Sequence, residues 1–349
     1  DLDAPAQTSC STRDACSRFD PAVLLLLLLC AATFWNSLPG QYCYDDTSAI
    51  RDRKTIESLS GLPLLVSREY CPAFGELTYR PVVSLTYFVD AMVFHKSPTW
   101  SRLINIVLHA AIGVALYGLW RRVFPGRRLA FVAAALFLCH PLVTEVVNCP
   151  GFREDQLALL LMVTCLHLLV SAARRPTTGR LLAVPAVWFF ALLAKEPAFM
   201  LVLVAPLLLL RTDTAVRQTW SRRHWITLRM ATILAATAYA VLYHTLSRHG
   251  ETTDWPEGGP LLGLLNFFRT FVVYLRLWIL PVGLSVGHEF HVSTQYSDVR
   301  LWVSFLAWAA FAAASANAWK LRWVTGIGLT WVVVTMVPMM QLLPSPERL

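Results

Sequence analysis

The stretch PAVLLLLLLCAATFWNSLPGQYCYDD, residues 21–46, decides how this chain is read. From Pro21 to Pro39 no acidic or basic side chain interrupts the run. That is close to the roughly 20 apolar residues a helix needs to cross a bilayer core. Two adjacent carboxylates, Asp45 and Asp46, follow within a few residues. A solvated loop start is the simplest account of them. An active site at the membrane surface is the sharper one, and spacing alone does not choose between the two.

The rest of the chain supports a membrane setting. Of its 349 residues 56% are hydrophobic and only 15% charged, and the mean hydropathy is +0.51. Soluble domains carry about 25% charged residues. Thirteen Trp and 18 Phe suit a protein with many membrane–water boundaries, where aromatic rings gather. The net charge of +8 does not point to nucleic acid, because the arginines form no single stripe. They fall in short clusters between apolar runs, the pattern that fixes orientation in a membrane.

Apolar runs predict about nine transmembrane helices at 21–39, 101–120, 129–147, 155–173, 180–195, 197–211, 225–246, 301–319 and 323–341. Pro197 disfavours helical geometry at Glu196, so LLAKEPAF (192–199) reads as a tight turn between two short helices. The basic connections WRRVFPGRR (120–128), ARRPTTGR (173–180), RTDTAVRQTWSRR (211–223) and KLR (320–322) are placed inside by the positive-inside rule. Residues 40–100, 148–154, the AKEP turn and 247–300 then face outward. A tenth apolar segment, 261–283, would break that alternation. It reads as an interfacial or re-entrant amphipathic helix on the outer side, and 82–95 reads similarly. The fold class is therefore an all-α, polytopic integral membrane protein. A cytoplasmic polar tail (1–20) precedes one membrane domain (21–349). Because the chain starts at Asp1 and stops at PSPERL, we expect a fragment truncated at its C-terminus.

Most unusual polar groups fall on the outer side. They include Asp45, Asp46, Arg80, His109, His140, Glu145, Arg153, Glu154, Asp155, Lys195, Glu196, Arg269, Arg276, His288, Glu289 and His291. Ionisable groups at membrane segments are costly and mark function by default, although each alone reads as an anchor, cap or internal pair. Glu154 and Asp155 suit the first turn of a helix, where the dipole favours anions. Lys195 and Glu196 suit a simple ion pair. GHEFH (287–291) is not a zinc-protease helix, no phosphate-binding Gly-x-x-x-x-Gly-Lys loop occurs, and no Ser/His/Asp arrangement is specific enough to name. The eight cysteines show no zinc spacing. Cys43, Cys71 and Cys149 share the outer face, where a Cys43–Cys71 disulfide is compatible with the topology.

Carboxylates, arginines and a lysine at an outer membrane boundary suit sugar transfer from a lipid-linked donor. A carboxylate takes the proton of the attacking hydroxyl. The leaving group is already a phosphate, so it needs cations, and the arginine fork matches phosphate oxygens.

YDDTSAI, YRPVVSLTYFVD, NIVLHA, HPLVTEVVNCPGFRED, LLAKEPAF and YLRLWILPVGLSVGHEF follow one another from about residue 36 onward. In order and spacing they resemble the transmembrane O-mannosyltransferases that carry tetratricopeptide repeats, and their bacterial relatives, which share the GT-C membrane fold. The resemblance implies a polyprenyl-phosphate sugar donor, often mannose, and inverting transfer on the luminal or periplasmic face. It maps the family's acidic pair onto Asp45 and Asp46 and its first acidic position onto Asp45. His-Pro-x-x-Thr-Glu maps onto His140, Pro141, Thr144 and Glu145. Gly-Arg-x-Asp maps onto Gly151, Arg153 and Asp155 with Phe152 inserted, and Lys-Glu onto Lys195 and Glu196. Asp90 stands where relatives usually show Asn.

The expected catalytic residues are thus Asp45, Asp46 and Glu145. The expected donor and substrate contacts are Arg80, His109, His140, Arg153, Asp155, Lys195, Glu196, Arg276 and His288. The partners implied are a polyprenyl-phosphate-linked sugar, membrane lipid and an acceptor protein or glycan. The residues assign no cofactor: two carboxylates with His288 are compatible with a divalent metal, while the resemblance implies activity without one. A bacterial inner membrane is the expected location, with the endoplasmic reticulum as the alternative. A transporter or flippase of lipid-linked sugars would instead place ionisable groups near the bilayer midplane. A non-catalytic scaffold would tolerate loss of both aspartates.

Overall fold

The computed structural model describes residues 20–123, 126–209, 220–247, 259–285, 293–321 and 323–336. Among these residues every regular element is helical. Helix α1 (Pro21–Phe34) starts with Pro21 at its first position and Asp20 as N-cap, accepting from Ala22 N–H at 3.0 Å. A proline there gives up only a donor that would be unpaired anyway. Then come α2 (Pro81–Met92), α3 (Pro98–Val123), α4 (Arg127–Cys139), the short α5 (Thr144–Asn148) and α6 (Arg153–Arg174). Next are α7 (Thr178–Leu192), α8 (Leu201–Leu209) and α9 (Arg222–Leu246). The described helices end with α10 (Gly259–Ile279), α11 (Val299–Leu321) and α12 (Trp323–Met336).

Among the described residues five helices are long and apolar enough to cross a membrane, and six if a bent pair counts as one. All nine predicted spans fall on helices, but they differ in length. Those at 101–120, 155–173, 225–246 and 301–319 reach spanning length. The span predicted at 129–147 is bent by 48° between Cys139 and Pro141. The cause is Pro141, which lacks an N–H to continue the helix and pushes His140 into extended geometry (ψ 128°). The other four lie on shorter apolar helices, as far as the described residues reach.

Segment 261–283, read as interfacial, forms a helix that is itself long enough to span. Its partners say where it lies. Phe268 and Phe271 pack on Phe305, Trp308 and Phe311 of α11. Its C-terminal Trp278 carbonyl meets His140. The His140 contact ties its C-terminal end to the bundle end that carries residues 40–100.

At the opposite end the basic connections converge. Asp20 accepts from Arg121 at 2.7 Å and pairs with Arg127. Arg174 donates to the Arg122 carbonyl, and the Trp220 indole to the Ala173 carbonyl. Between the ends, α6 is the central element, with Val163, Leu166 and Val170 packed among Leu119, Trp188 and Leu201. A second core joins α1, α3 and α4 through Leu26, Cys30, Ile106, Ala134 and Leu138. Gly113 permits that approach, since a Cβ there would run into the Leu138 side chain.

Residues 40–96 are a folded cap, in which Ile50, Ile56, Tyr70, Phe74, Tyr79, Val83, Tyr87 and Phe88 are buried together with Leu193, Ala194 and Leu246. Helix α2 is part of that cap, with Asp90 buried on it. The large apolar side chains left outside, such as Leu24, Leu28, Leu136, Ile233 and Leu234, are exposed on the helices. That is the surface a lipid solvent would cover.

Candidate active site

The two aspartates are neighbours in sequence and opposites in environment. Tyr44, just before them, takes φ 52°, a left-handed conformation that a tyrosine adopts only when its surroundings hold it there. Asp46 is fully buried. One of its carboxylate oxygens accepts from Gly151 N–H at 2.7 Å and the other from Cys43 N–H at 3.2 Å. Burial pushes the Asp46 carboxyl up, against the pull of those two donors and of the nearby Arg102 charge. Asp45 is exposed, and its carboxylate has no partner among the described residues. Partial shielding from water alone raises it above the ordinary carboxylate value. So one carboxylate pins the segment, and the other is exposed beside it without a partner among the described residues.

What pins the segment from the far side is the turn Cys149–Arg153. Its Gly151 fits because the aspartates crowd it. A Cβ at Gly151 would lie 3.1 Å from the Asp45 carbonyl carbon, the Asp46 nitrogen and the Asp46 carboxylate. Arg102 of α3 ties the same region together through the carbonyls of Gly40, Gln41 and Asn148. The sequence signal for Arg102 was available, since an arginine near the start of an apolar span is costly unless paired. The Pro150–Gly151 pair is likewise a turn signal.

Arg153 is fully buried and reaches no open surface. Its guanidinium pairs with Asp90, donates to Asn105 at 2.8 Å and Thr86 at 3.1 Å, and lies 5.4 Å from the Tyr87 ring centroid. Asp90 in turn accepts from Ser101, which meets the Tyr42 hydroxyl at 2.7 Å. Arg153 therefore joins α2, α3 and α6 and is unavailable to a phosphate. Asp90, the departure from the usual Asn, is its counter-ion.

His109 is also a core residue. It is 2% exposed, its ring nitrogen is 3.2 Å from the Leu138 carbonyl, and Phe34 and Phe137 pack on it. The expectation that it contacts substrate fails on that burial.

Arg80, Asp155, Lys195 and Glu196 do come together, with Glu154 at their centre. Arg80 grips Glu196 through two nitrogens at 3.1 and 2.9 Å and Glu154 through the third at 2.9 Å. Lys195 reaches Asp155 at 2.7 Å and Glu154 at 3.4 Å. Those carboxylates hold the Arg80 and Lys195 charges up, against burial. Two cations face three carboxylates, so the cluster is net negative. A phosphate would have to displace a carboxylate to enter it. Glu76 stands beside this cluster, and Asp45 is among the charges that raise it, which places the free aspartate at the edge of the network.

The second half of the site comes from α5 and α10. His140 accepts from Leu142 N–H at 3.2 Å through Nδ1, so the ring proton sits on Nε2, 2.9 Å from the Trp278 carbonyl. That bond docks the C-terminal end of α10 on the His140–Asn148 segment. Glu145, in the first turn of α5, is half-buried and near Tyr274 of α10. Arg276 is exposed in the last turn of α10, and its guanidinium has no partner among the described residues. His288, Glu289 and His291 lie outside the described residues, and with them the metal arrangement that includes His288. Cys43, Asp46 and Cys149 offer three ligand atoms within 4.8 Å of one another, although both Asp46 oxygens already accept N–H groups. The Cys43–Cys71 pairing does not form, because the Cys71 thiol points to the Leu246 carbonyl at 3.2 Å. Cys43 lies instead 3.8 Å from Cys149, sulfur to sulfur.

A cavity of about 750 Å³ opens between α6, α7, α8 and α9, lined by Leu169, Val184, Trp188, Leu201, Trp225 and Leu228. It lies toward the basic end, away from Asp45, and its apolar walls suit a lipid chain better than a sugar.

Residues 81–244 match the family described as dolichyl-phosphate-mannose-protein mannosyltransferase. The chain is 33% identical over 131 residues to mouse protein O-mannosyl-transferase TMTC3, covering 36% of this chain and 14% of that protein. Human TMTC1, also named a protein O-mannosyl-transferase, is 32% identical over 151 residues, covering 41% and 17%. Protein O-mannosyl-transferase F38B6.6 of Caenorhabditis elegans is 26% identical over 141 residues, covering 38% and 20%. The matched part of the chain spans less than a quarter of the length of these curated relatives. No solved structure matches the chain.

Proposed function

We propose, from the similarity of residues 81–244 to the dolichyl-phosphate-mannose-protein mannosyltransferase family and to named protein O-mannosyl-transferases, that this helical membrane protein is of GT-C type and moves mannose from a polyprenyl-phosphate carrier to serine or threonine hydroxyls of proteins. The observation that carries the proposal is the division between Asp46, buried and bonded to Gly151, and Asp45, exposed and unpartnered on the same rigid segment. In this reading Asp45 takes the proton from the acceptor hydroxyl as its oxygen attacks the anomeric carbon. The carrier phosphate leaves from the opposite side, so configuration inverts. Arg276, the uncommitted cation at the end of α10, receives the phosphate charge, while Glu145 orients the sugar beside it. Arg80, Lys195 and their three carboxylates act as the frame that holds α2, α6 and the Lys195–Pro197 turn in register.

The relatives named above are animal proteins, which favours the endoplasmic reticulum membrane over a bacterial one. Asp45 then faces the lumen, where the basic connections at the opposite end are cytoplasmic. The lipid tail keeps the donor phosphate at bilayer height, and the base stands at that same height.

The test is transfer from labelled dolichyl-phosphate mannose to protein acceptors by the full chain in proteoliposomes. Ser/Thr-linked mannose is expected. Donor untouched across a panel of acceptors would sink the proposal. Within that assay, Arg276→Ala is expected to raise the donor KM about tenfold, the value of one charge-assisted hydrogen bond, with kcat changing less. Arg276→Lys restores part of it, since a lysine supplies the charge without the fork. Gly151→Ala is expected to slow transfer roughly 10- to 100-fold, because its Cβ displaces the base. Its thermal stability should fall by only about 1–3 kcal/mol, the usual cost of overpacking.

A further inference from the structure

We infer that Cys43 and Cys149 form a disulfide that locks the Asp45 segment against the Cys149–Arg153 turn. The inference rests on the luminal placement of this end of the bundle, an oxidising compartment. The two sulfurs are 3.8 Å apart although 106 residues separate them in sequence. A disulfide bond is about 2.05 Å long, so side-chain rotation and a small approach of the two segments complete it. Asp46 already bridges the same two segments, through Cys43 N–H and Gly151 N–H. The covalent bond and the carboxylate thus form one clamp, immediately beside the base.

The chemistry is thiol–disulfide exchange with an oxidised thiol oxidoreductase or a small-molecule disulfide as oxidant. Cys43 is exposed and Cys149 is 6% exposed, which sets the order. The Cys43 thiolate attacks the oxidant's disulfide, giving a mixed disulfide and one released thiol. Cys149 then attacks the Cys43 sulfur and expels the second thiol. Its proton passes to the Asp46 carboxylate, which lies within 4.8 Å of both sulfurs, and from there to water. Two thiols of the chain are oxidised and one disulfide of the oxidant is reduced. Burial and the neighbouring Asp46 and Cys43 push the Cys149 thiol up to about 12, consistent with Cys149 being the second to react. A zinc ion is the weaker occupant. A structural zinc takes four ligands. Here two sulfurs face one carboxylate that already accepts two N–H groups.

The experiment uses the full chain in microsomal membranes, alkylated with N-ethylmaleimide before any reductant, then digested and analysed by mass spectrometry. A Cys43–Cys149 linked peptide, two hydrogens lighter than its free parts, is expected, with neither thiol alkylated until reduction. Cys71→Ser leaves that peptide unchanged. Cys43→Ser and Cys149→Ser each slow mannosyl transfer by roughly tenfold or more, as expected for a displaced base, and the double variant is no slower than either. Alkylation of both thiols without reductant overturns the inference. So does protection that a chelator removes together with one equivalent of zinc, or a linked peptide joining other cysteines. A disulfide whose loss leaves transfer unchanged overturns the clamp. A disulfide in a chain that transfers no mannose leaves the pairing standing and overturns the proposed function instead.

Discussion

Asp45→Asn is expected to lower the rate of mannosyl transfer by about 10²–10⁴-fold, the range for loss of a general base, with the thermal midpoint unchanged. Both halves follow from its surroundings. The Asp45 carboxylate holds nothing in place among the described residues, so replacing it with a carboxamide of equal size removes only a proton acceptor. Asp46→Asn should behave differently. Its amide oxygen can still accept from Gly151 N–H, but its amide nitrogen then faces Cys43 N–H, donor against donor. That variant loses stability as well as rate, by about 1–3 kcal/mol for a buried unsatisfied group. The pH profile separates the two further. Asp45 must be ionised to act, so the parent rate falls as pH drops through its raised pKa. The acid limb therefore lies above the ordinary carboxylate value, and Asp45→Asn abolishes it along with the activity. Steady-state rates across pH, beside thermal melts, measure both effects. Full activity in Asp45→Asn would remove the base from the mechanism.

Asp90→Ala is expected to unfold the cap end of the bundle or leave it only marginally stable. The ion pair with Arg153 is 0% exposed on both sides, and breaking a buried pair by removing one partner costs about 3–5 kcal/mol. That is a large share of a typical stability of about 5–15 kcal/mol. Arg153→Met leaves a buried aspartate with only Ser101 as a donor and should cost a similar amount. Replacing both at once, as Asp90→Leu with Arg153→Met, should recover much of the loss, because well-packed apolar residues often substitute for a buried pair at little cost. Asp90→Asn should be the mildest single change, since a carboxamide oxygen still accepts from the guanidinium. Thermal melts of the four variants in one detergent make the comparison. Additive losses in the double variant would mean the two residues stabilise independently and would contradict the pairing.

The fold was legible wherever the signal was a run. As far as the described residues reach, every predicted span falls on helical residues, with the one at 129–147 broken in two. Two features escaped for local reasons. Pro141 was read through, although it bends 129–147 as physics requires, because the apolar run continued past it. Residues 82–95 were read as an interfacial helix, and a helix does form at Pro81–Met92, but the rest of 40–100 was read as loop because its apolar residues follow no helical period. The buried set instead brings Tyr70 and Phe74 of a single helical turn and Tyr79 of an irregular stretch against Tyr87 of the helix at Pro81–Met92. In the site, sequence gave residue types at one height but not their pairing. Arg153 and Arg276 look equally suited to phosphate in the sequence, and only the position of Asp90 tells them apart. Arg80, Lys195 and their carboxylates were seen as separate candidates, whereas they satisfy one another. The Cys43–Cys149 approach spans 106 residues, and no local pattern encodes it.

The most direct measurement is the anomeric configuration of mannose on the acceptor, compared with that in the lipid-linked donor, after transfer by the reconstituted full chain. One displacement, driven by Asp45 on the acceptor hydroxyl with the carrier phosphate as leaving group, predicts opposite configuration in donor and product. Retained configuration would require a covalent glycosyl-enzyme, for which an acid acting only on the acceptor's proton has no part, and would contradict the account.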